Sequence, residues 1–133
     1  MIHFRTERVL LVAPNIFSVQ LLASHKQIKH ITSVDRVFPS IYEIAPHMIV
    51  FDYDYLNQDL EKILRRIRTN PYYNKIKICC FKSSHNRKLD EFLKVLGVNH
   101  VIYKEDLQNK ASISHVKSIL DSAVTDLWVN ASL

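Results

Sequence analysis

Five side chains that are able to do chemistry stand at the ends of short apolar runs in this sequence. Asp52 and Asp54 follow residues 48–51, Lys82 and Ser83 follow residues 78–81, and Lys104 follows residues 101–103. A carboxylate can act as a nucleophile, a base or a cation ligand, and an ammonium group neutralises a carboxylate beside it. These positions predict one polar site, provided that the fold brings the ends of the three runs together.

The apolar runs themselves predict buried strands. Residues 9–13, 48–51, 78–81 and 101–103 are short and almost continuously apolar, as expected for a parallel sheet that is covered on both faces. Residues 28–34 form a weaker fifth candidate.

Helical periodicity separates these runs. Two weaker helices are predicted at residues 16–26 and 37–45, and Pro39 is expected to start or interrupt the second of them. Three firmer helices repeat apolar residues at i, i+3, i+4 and i+7. Their apolar positions are Leu60, Ile63, Leu64 and Ile67; Leu89, Phe92, Leu93 and Leu96; and Val116, Ile119, Leu120, Ala123, Val124 and Leu127.

Three residues mark helix ends. Asn57 is expected to cap the third helix, and Pro71 lies just beyond its end. Gly97, the only glycine, stands where the fourth helix needs a left-handed residue at its C-terminus.

Five alternations of strand and helix predict a doubly wound α/β fold, a five-stranded parallel sheet of the flavodoxin-like (βα)5 type. We assign residues 1–133 to a single domain, because 133 residues with 47% hydrophobic side chains suit one core. In such sheets sites form beyond the carboxyl ends of the strands, near the switch in strand order. The five polar side chains above stand at those ends.

The net charge of the chain restricts the classes of possible binding partner only slightly. The net charge of +5 permits nucleic acid or acidic protein partners, and more than half of the Lys and Arg residues lie between Lys62 and Lys94. One side of the molecule is therefore expected to be positive, with a solvated helix face as the simpler interpretation. No apolar stretch is long enough to span a bilayer, and the N-terminus has no signal-peptide core, so we expect a cytoplasmic protein without a membrane partner.

Several enzyme classes find no support. A single glycine excludes a phosphate-binding glycine loop or a dinucleotide fingerprint, and no serine lies in a glycine-flanked nucleophile elbow. The histidines show no paired helical spacing, and the adjacent Cys79 and Cys80 are expected to pack in the core, so no metal is expected on these residues. We do not expect an enzyme.

Three motifs in order resemble those of response-regulator receiver domains. Pro46-His47-Met48-Ile49-Val50-Phe51-Asp52 is similar to the stretch that ends in the phosphoacceptor aspartate, and Gly97-Val98-Asn99-His100-Val101-Ile102-Tyr103-Lys104 to the stretch that ends in the active-site lysine. The third motif, Arg66-Ile67-Arg68-Thr69-Asn70-Pro71, lies between them. The resemblance spans nearly the whole chain.

The resemblance assigns roles to the matching residues. It implies that Asp52 holds the phosphoacceptor position, that Lys104 bridges to it, and that Asp54 stands where the family uses a backbone carbonyl as a magnesium ligand.

The departures from the family pattern concern metal binding and switching. Ala13 and Pro14 replace the acidic pair that holds magnesium, so no Mg²⁺ cofactor is expected. Lys82 replaces the hydroxyl residue after the fourth strand, with Ser83 one place further on. Three further positions differ from the family pattern. Val101 stands where the family commonly has a switch aromatic residue, and Leu56 and Glu105 each stand where it has a proline.

Two placements remain open for Lys82. Its ammonium group could lie near Asp52 and neutralise a partly buried carboxylate, or its long side chain could point into solvent. Asp52 and Asp54 could likewise be ordinary polar residues at a strand end, and Ser83 could cap the next helix.

These features predict a stand-alone pseudo-receiver that signals by protein–protein interaction without conventional Mg²⁺-dependent phosphorylation. One alternative is an atypical receiver that is phosphorylated on Asp52 in a two-component phosphorelay. A second is a basic nucleic-acid-binding module that uses residues 62–94, which lacks a base-reading motif. The expected partner is a sensor kinase or an output protein.

The resemblance also implies a working surface. Receivers commonly communicate through the fourth helix, the fifth strand and the fifth helix, which correspond to residues 86–96, 100–103 and 114–128. Arg87, Lys88, Asp90, Glu91 and Lys94 give the fourth helix a mixed-charge side, and Tyr103 and Trp128 are large neighbours. A homodimer through this face is one expected outcome, and packing of Trp128 on the core is the competing one.

Overall fold

The computed structural model describes residues 7–14 and 26–108. The strands there are β1 (Glu7–Val12), β2 (Lys26–Ile31), β3 (Met48–Asp52), β4 (Lys77–Lys82) and β5 (His100–Tyr103). The α-helices there are α1 (Val37–Ile44), α2 (Tyr53–Leu56), α3 (Gln58–Thr69) and α4 (Arg87–Val95). Single 3₁₀ turns cover Val34–Arg36 and Lys104–Gln108.

The strands form one parallel sheet in the order β2-β1-β3-β4-β5. The order reverses between β1 and β3, where Val12 lies opposite Phe51. A crevice opens beyond the strand ends at such a reversal. Asp52 ends β3 there, and Lys82 at the end of β4 lies opposite Tyr103 of β5.

Both faces of the sheet are buried. One cluster joins alternate strand residues, including Leu10, Ile49 and Cys80, to the apolar sides of α1, α3 and α4. The other contains Leu11, Val50 and further residues of the opposite face. Each fully buried Leu or Ile side chain stabilises the fold by roughly 1.5–3 kcal/mol. The sheet is therefore a rigid support for the polar residues at its carboxyl edge.

The predicted fold class is confirmed, and so are most of its elements. The strands at 48–51, 78–81 and 101–103 and the helices near 37–45, 58–70 and 86–96 lie where the sequence pattern places them. Pro39 lies in the first turn of α1, where its missing N–H is harmless. Cys79 and Cys80 are buried in β4, as expected.

Both ends of β2 and the cap of α3 differ from the prediction. β2 begins at Lys26, which the predicted first helix included, and it ends at Ile31 rather than at Val34. The strand stops there because Ile31 is the last residue opposite β1, and Val34 already begins a 3₁₀ turn. Asn57 precedes α3, but its side chain does not cap that helix. The rest of the predicted first helix, residues 16–25, and the predicted helix over 116–127 lie outside the described residues.

Arg68 joins two loops at the amino-terminal edge of the sheet, the one before β4 and the one before β5. Its guanidinium group donates hydrogen bonds to the carbonyl oxygens of Asn74 at 2.6 Å, of Ile76 at 3.1 Å, and of Gly97. Gly97 has a φ of 105°, as predicted for the residue that ends the fourth helix, and a Cβ atom there would collide with the Arg68 side chain. The resemblance motif around Arg68 thus has a structural role.

Candidate functional site

Asp52 and Lys104 form an ion pair at the carboxyl ends of β3 and β5. The Lys104 Nζ atom lies 2.8 Å from Oδ1 and 2.9 Å from Oδ2 of Asp52, whose side chain is only 3% exposed. Lys104 remains 30% exposed. The nearly buried carboxylate therefore has a counter-charge that reaches it from the solvent side.

Asp54 shares the same ammonium group. Its Oδ2 atom lies 3.0 Å from Lys104 Nζ and accepts a 2.6 Å hydrogen bond from the Ser83 hydroxyl. Burial alone would raise the pKa of Asp54, but the donors Ser83 and Lys104 outweigh burial and lower it. Burial likewise opposes the charge on Lys104, yet Asp52 and Asp54 raise its pKa. Both carboxylates thus converge on one lysine.

The backbone around Asp54 is also occupied. Its carbonyl oxygen accepts a 2.9 Å hydrogen bond from the side-chain amide of Asn57, which has a left-handed φ of 48°. The Asp52 carboxylate accepts the Tyr55 N–H at 3.3 Å and so caps the short helix α2. The side-chain amide of Asn57 thus bonds to the carbonyl of Asp54 in α2, and the Asn57 side chain makes no capping hydrogen bond to α3.

The residues after β1 provide no acidic side chain. Ala13 is fully buried, its N–H donates to the Ile31 carbonyl at 3.2 Å, and its own carbonyl oxygen lies 2.9 Å from His30 Nε2. A hard divalent cation needs several oxygen ligands. The carbonyl of Asp54 is already bonded, and both nearby carboxylates contact an ammonium group, so these residues do not fit a Mg²⁺ site. Among the described residues no cluster of three His, Cys, Asp or Glu side chains is placed to hold a metal.

Lys82 does not contact Asp52, so the neutralising role considered for it at that carboxylate is wrong. Its side chain is fully buried and its Nζ atom lies 2.6 Å from Asp90 Oδ1 in α4. The alternative placement, in which the Lys82 side chain points into solvent, is wrong because that side chain is fully buried. The aromatic rings of Tyr53 and Tyr103 lie 5.9 and 5.8 Å from this ammonium group and cover it. Lys82 therefore ties the end of β4 to α4.

Tyr103 completes the contacts of Asp90. Its hydroxyl donates to Asp90 Oδ2, and this hydrogen bond raises the pKa of Tyr103 to about 12. Burial opposes ionisation of Asp90, but Lys82 and Tyr103 together lower its pKa. We call Lys82, Asp90 and Tyr103 the α4 clamp, since the three side chains join β4, α4 and β5.

Two more residues extend the α4 clamp. The His85 ring stacks on Tyr103 with centroids 3.7 Å apart, and His85 also pairs with Glu105, one of the residues that replace a family proline. Sequence reasoning placed Asp90 and Tyr103 on the working surface and not beside Lys82, and it gave His85 no site role. The available signal was Lys82 itself, since a lysine at the end of a buried strand needs an acid nearby.

The predicted working surface is described only in part. Arg87 and Glu91 form an exposed ion pair at 3.1 Å on the outer side of α4, while Asp90 turns inward to the clamp. Val101 is half-buried and packs against the core. Trp128 lies outside the described residues.

No protein-family model matches the chain, and no curated protein matches it in sequence. Solved structures do match its fold. A response regulator from Hahella chejuensis matches with a TM-score of 0.77 at 14% identity, over 90% of this chain and 96% of that chain. The receiver domain of a DNA-binding response regulator from Colwellia psychrerythraea 34H gives 0.76 at 14%, over 91% and 99%. The Mn²⁺-bound response regulator Rcp1 gives 0.68 at 20%, over 85% and 91%.

The chain therefore has the fold of a response-regulator receiver domain. It is a variant of that fold in which Ala13 and Pro14 follow β1 and the buried Lys82 ends β4. Within the described residues no helix has the length and apolarity needed to cross a bilayer.

Proposed function

We propose that this protein is a pseudo-receiver, a signalling domain that binds a protein partner and is not switched by Mg²⁺-dependent phosphorylation of Asp52. The observation that carries the proposal is the engagement of Asp52 and Asp54 by the single ammonium group of Lys104, next to an Ala13-Pro14 pair without carboxylates. Phosphoryl transfer to a carboxylate relies on a metal to neutralise the phosphoryl oxygens. Ala13 and Pro14 supply no carboxylate ligand for such a metal.

The α4 clamp supports the same proposal. A short hydroxyl side chain at position 82 could move toward a phosphoryl group, whereas Lys82 is buried and bonded to Asp90 at 2.6 Å. Separating this pair would leave an unpaired charge inside the protein, which costs about 3–5 kcal/mol. We therefore propose that α4 stays in one position, and that output depends on binding alone.

The proposal includes partners and location. The partner is a sensor kinase or an output protein, no cofactor is required, the protein is not an enzyme, and it acts in the cytoplasm. The face formed by α4, β5 and residues 114–128 is the proposed contact surface, with self-association through it as one outcome. Charge reversal at Arg87 and Lys88 should weaken partner recovery, and unchanged recovery would move the surface elsewhere.

Acetyl phosphate with Mg²⁺ at neutral pH tests the proposal. We expect the intact mass of the protein to stay unchanged, because the metal is not recruited. A gain of one phosphoryl group that disappears in Asp52→Asn would establish the alternative function instead.

A gain-of-function variant provides the matched control. Restoring acidic side chains by Ala13→Asp and Pro14→Asp supplies ligands beside Asp52, and we expect measurable Mg²⁺ binding by calorimetry in this variant only. Equal Mg²⁺ binding by the original protein would contradict the proposal.

Phosphorylation of Asp52 by an atypical route remains the second candidate, because the Asp52–Lys104 contact has the arrangement that the family resemblance implies. Nucleic-acid binding has weaker support, since Arg68 and Lys82 of the basic stretch are directed into the structure. A salt-dependent affinity for nucleic acid would favour it.

A further inference from the structure

A groove lies between α1 and α3, away from the α4 face. Its volume is about 380 Å³, and its apolar wall contains Phe38, Pro39 and the buried Ile63. The Arg66 guanidinium group lies over the Phe38 ring at 3.9 Å from its centroid and closes one end. A volume of this size suits one or two apolar side chains of a ligand.

The rim of this groove carries charges of both signs. Asp35 and Asp59 stand toward the N-terminal ends of α1 and α3, and Lys62 and Arg66 follow one and two turns along α3. In the part of the chain that the structure describes, Asp35, Asp59 and Lys62 form no ion pair. By contrast, Glu61 and Arg65 on the neighbouring face of α3 pair with each other at 3.0 Å. The groove therefore presents charges that a partner can satisfy.

A helix packed beside α3 can repeat the spacing of these charges. Asp59 and Arg66 are seven residues apart, which is roughly 10 Å along a helix axis, with Ile63 between them. A partner helix beside α3 repeats that distance between its own positions i and i+7, and positions i+3 and i+4 then face the apolar wall. An antiparallel direction also aligns the two helix dipoles favourably.

We infer that the groove between α1 and α3 binds an amphipathic helix of a partner protein, antiparallel to α3. This helix carries an acidic residue at i toward Lys62 and Arg66, apolar residues at i+3 and i+4, and a basic residue at i+7 toward Asp35 and Asp59. The inference rests on the proposed protein-binding function and adds a second surface with a defined partner chemistry.

Two capped alanine-based helical peptides test the inference. One carries Glu, Leu, Leu and Lys at i, i+3, i+4 and i+7, and in the other Glu and Lys are exchanged. Titration into ¹⁵N-labelled full-length protein should shift the amide signals of Asp35, Phe38 and Ile63. We expect the first peptide to bind about five-fold more tightly, since exposed ion pairs have modest energies.

Charge reversal in the protein makes the test decisive. The double variant Asp59→Lys with Arg66→Glu should prefer the exchanged peptide, while the control Glu61→Lys with Arg65→Glu should keep the original preference. Equal affinities for both peptides, shifts confined to α4 and β5, or no shift at millimolar peptide would overturn the inference. A change in self-association of the Asp59/Arg66 variant in ultracentrifugation would instead identify a second copy of this chain as the occupant. The phosphorylation assay above is independent, so either proposal can fail alone.

Discussion

Two lysine–carboxylate pairs stand at the same edge of the sheet, yet their environments differ sharply. Lys104 is 30% exposed and contacts both Asp52 and Asp54. Lys82 is completely buried and has Asp90 as its single carboxylate partner among the described residues. The first lysine reaches solvent and has two carboxylate partners, whereas the second is enclosed and has no substitute partner among the described residues.

This difference indicates which of the two pairs can be substituted with the smaller loss of stability. A buried ion pair gains little over an apolar pair of equal volume, but removal of one partner leaves an uncompensated charge. Lys104 is 30% exposed and keeps a second carboxylate when one is removed, so the loss of a single partner costs less. Asp52 is therefore more replaceable than Asp90, which holds the α4 clamp together.

Asp90→Ala should have the largest effect. It leaves the Lys82 ammonium group buried without a counter-charge, and we expect the free energy of unfolding to fall by about 3–5 kcal/mol in urea denaturation. Glu91→Ala, one position along the same helix and exposed, should change it by less than about 0.5 kcal/mol. A similar loss in both variants would show that the burial of Lys82 is not the cause.

Asp52→Asn should cost less, about 1–2 kcal/mol, although the Asp52 side chain is only 3% exposed. Lys104 keeps Asp54 at 3.0 Å, and the asparagine oxygen still accepts the Tyr55 N–H. The double variant with Asp54→Asn removes both partners and should lose more than the two single variants together. Simple additivity, measured by the same urea titration, would contradict a shared ammonium group.

High pH should weaken the α4 clamp, because Tyr103 ionises and its hydroxyl no longer donates to Asp90. Its folded pKa is raised to about 12, above the unfolded value of about 10, so its contribution to stability is complete below pH 10 and is lost as the pH rises through 12. Unfolding free energies at pH 9 and pH 11 should therefore fall more in the original protein than in Tyr103→Phe. Lys104 also has a raised pKa, but it is present in both proteins and cancels in this difference. An equal fall in unfolding free energy in both proteins would show that the Tyr103 hydroxyl does not contribute to the α4 clamp.

Ser83→Ala should have the smallest effect. It removes one donor to Asp54 while Lys104 remains, so we expect a stability loss of about 0.5–1.5 kcal/mol. The pKa of Asp54 should rise, because Ser83 helps to lower it, and a carboxyl ¹³C titration by NMR measures this directly. Ser84→Ala is the matched control, and an equal pKa change there would contradict the contact.

Local patterns were sufficient for the elements that repeat them. The apolar spacing of Leu60, Ile63 and Leu64 predicted α3, and all three are buried against the sheet. Gly97 predicted the end of the fourth helix because its positive φ is rarely adopted by other residues. β2 was placed less accurately, since Lys29 and His30 interrupt its apolar pattern and its end depends on pairing with β1.

The sequence alone determined the order of the five strands and of α1, α3 and α4, the placement of Asp52 and Lys104 at strand ends, and the absence of carboxylates directly after β1. These properties follow from periodicity and from residue identity. Only the tertiary structure decided the partner of Lys82. Its side chain can reach in several directions from the end of β4, and the packing of α4 beside β5 brings Asp90 and Tyr103 to it rather than Asp52. A partner across elements depends on distances between segments far apart in the chain, which no local pattern encodes.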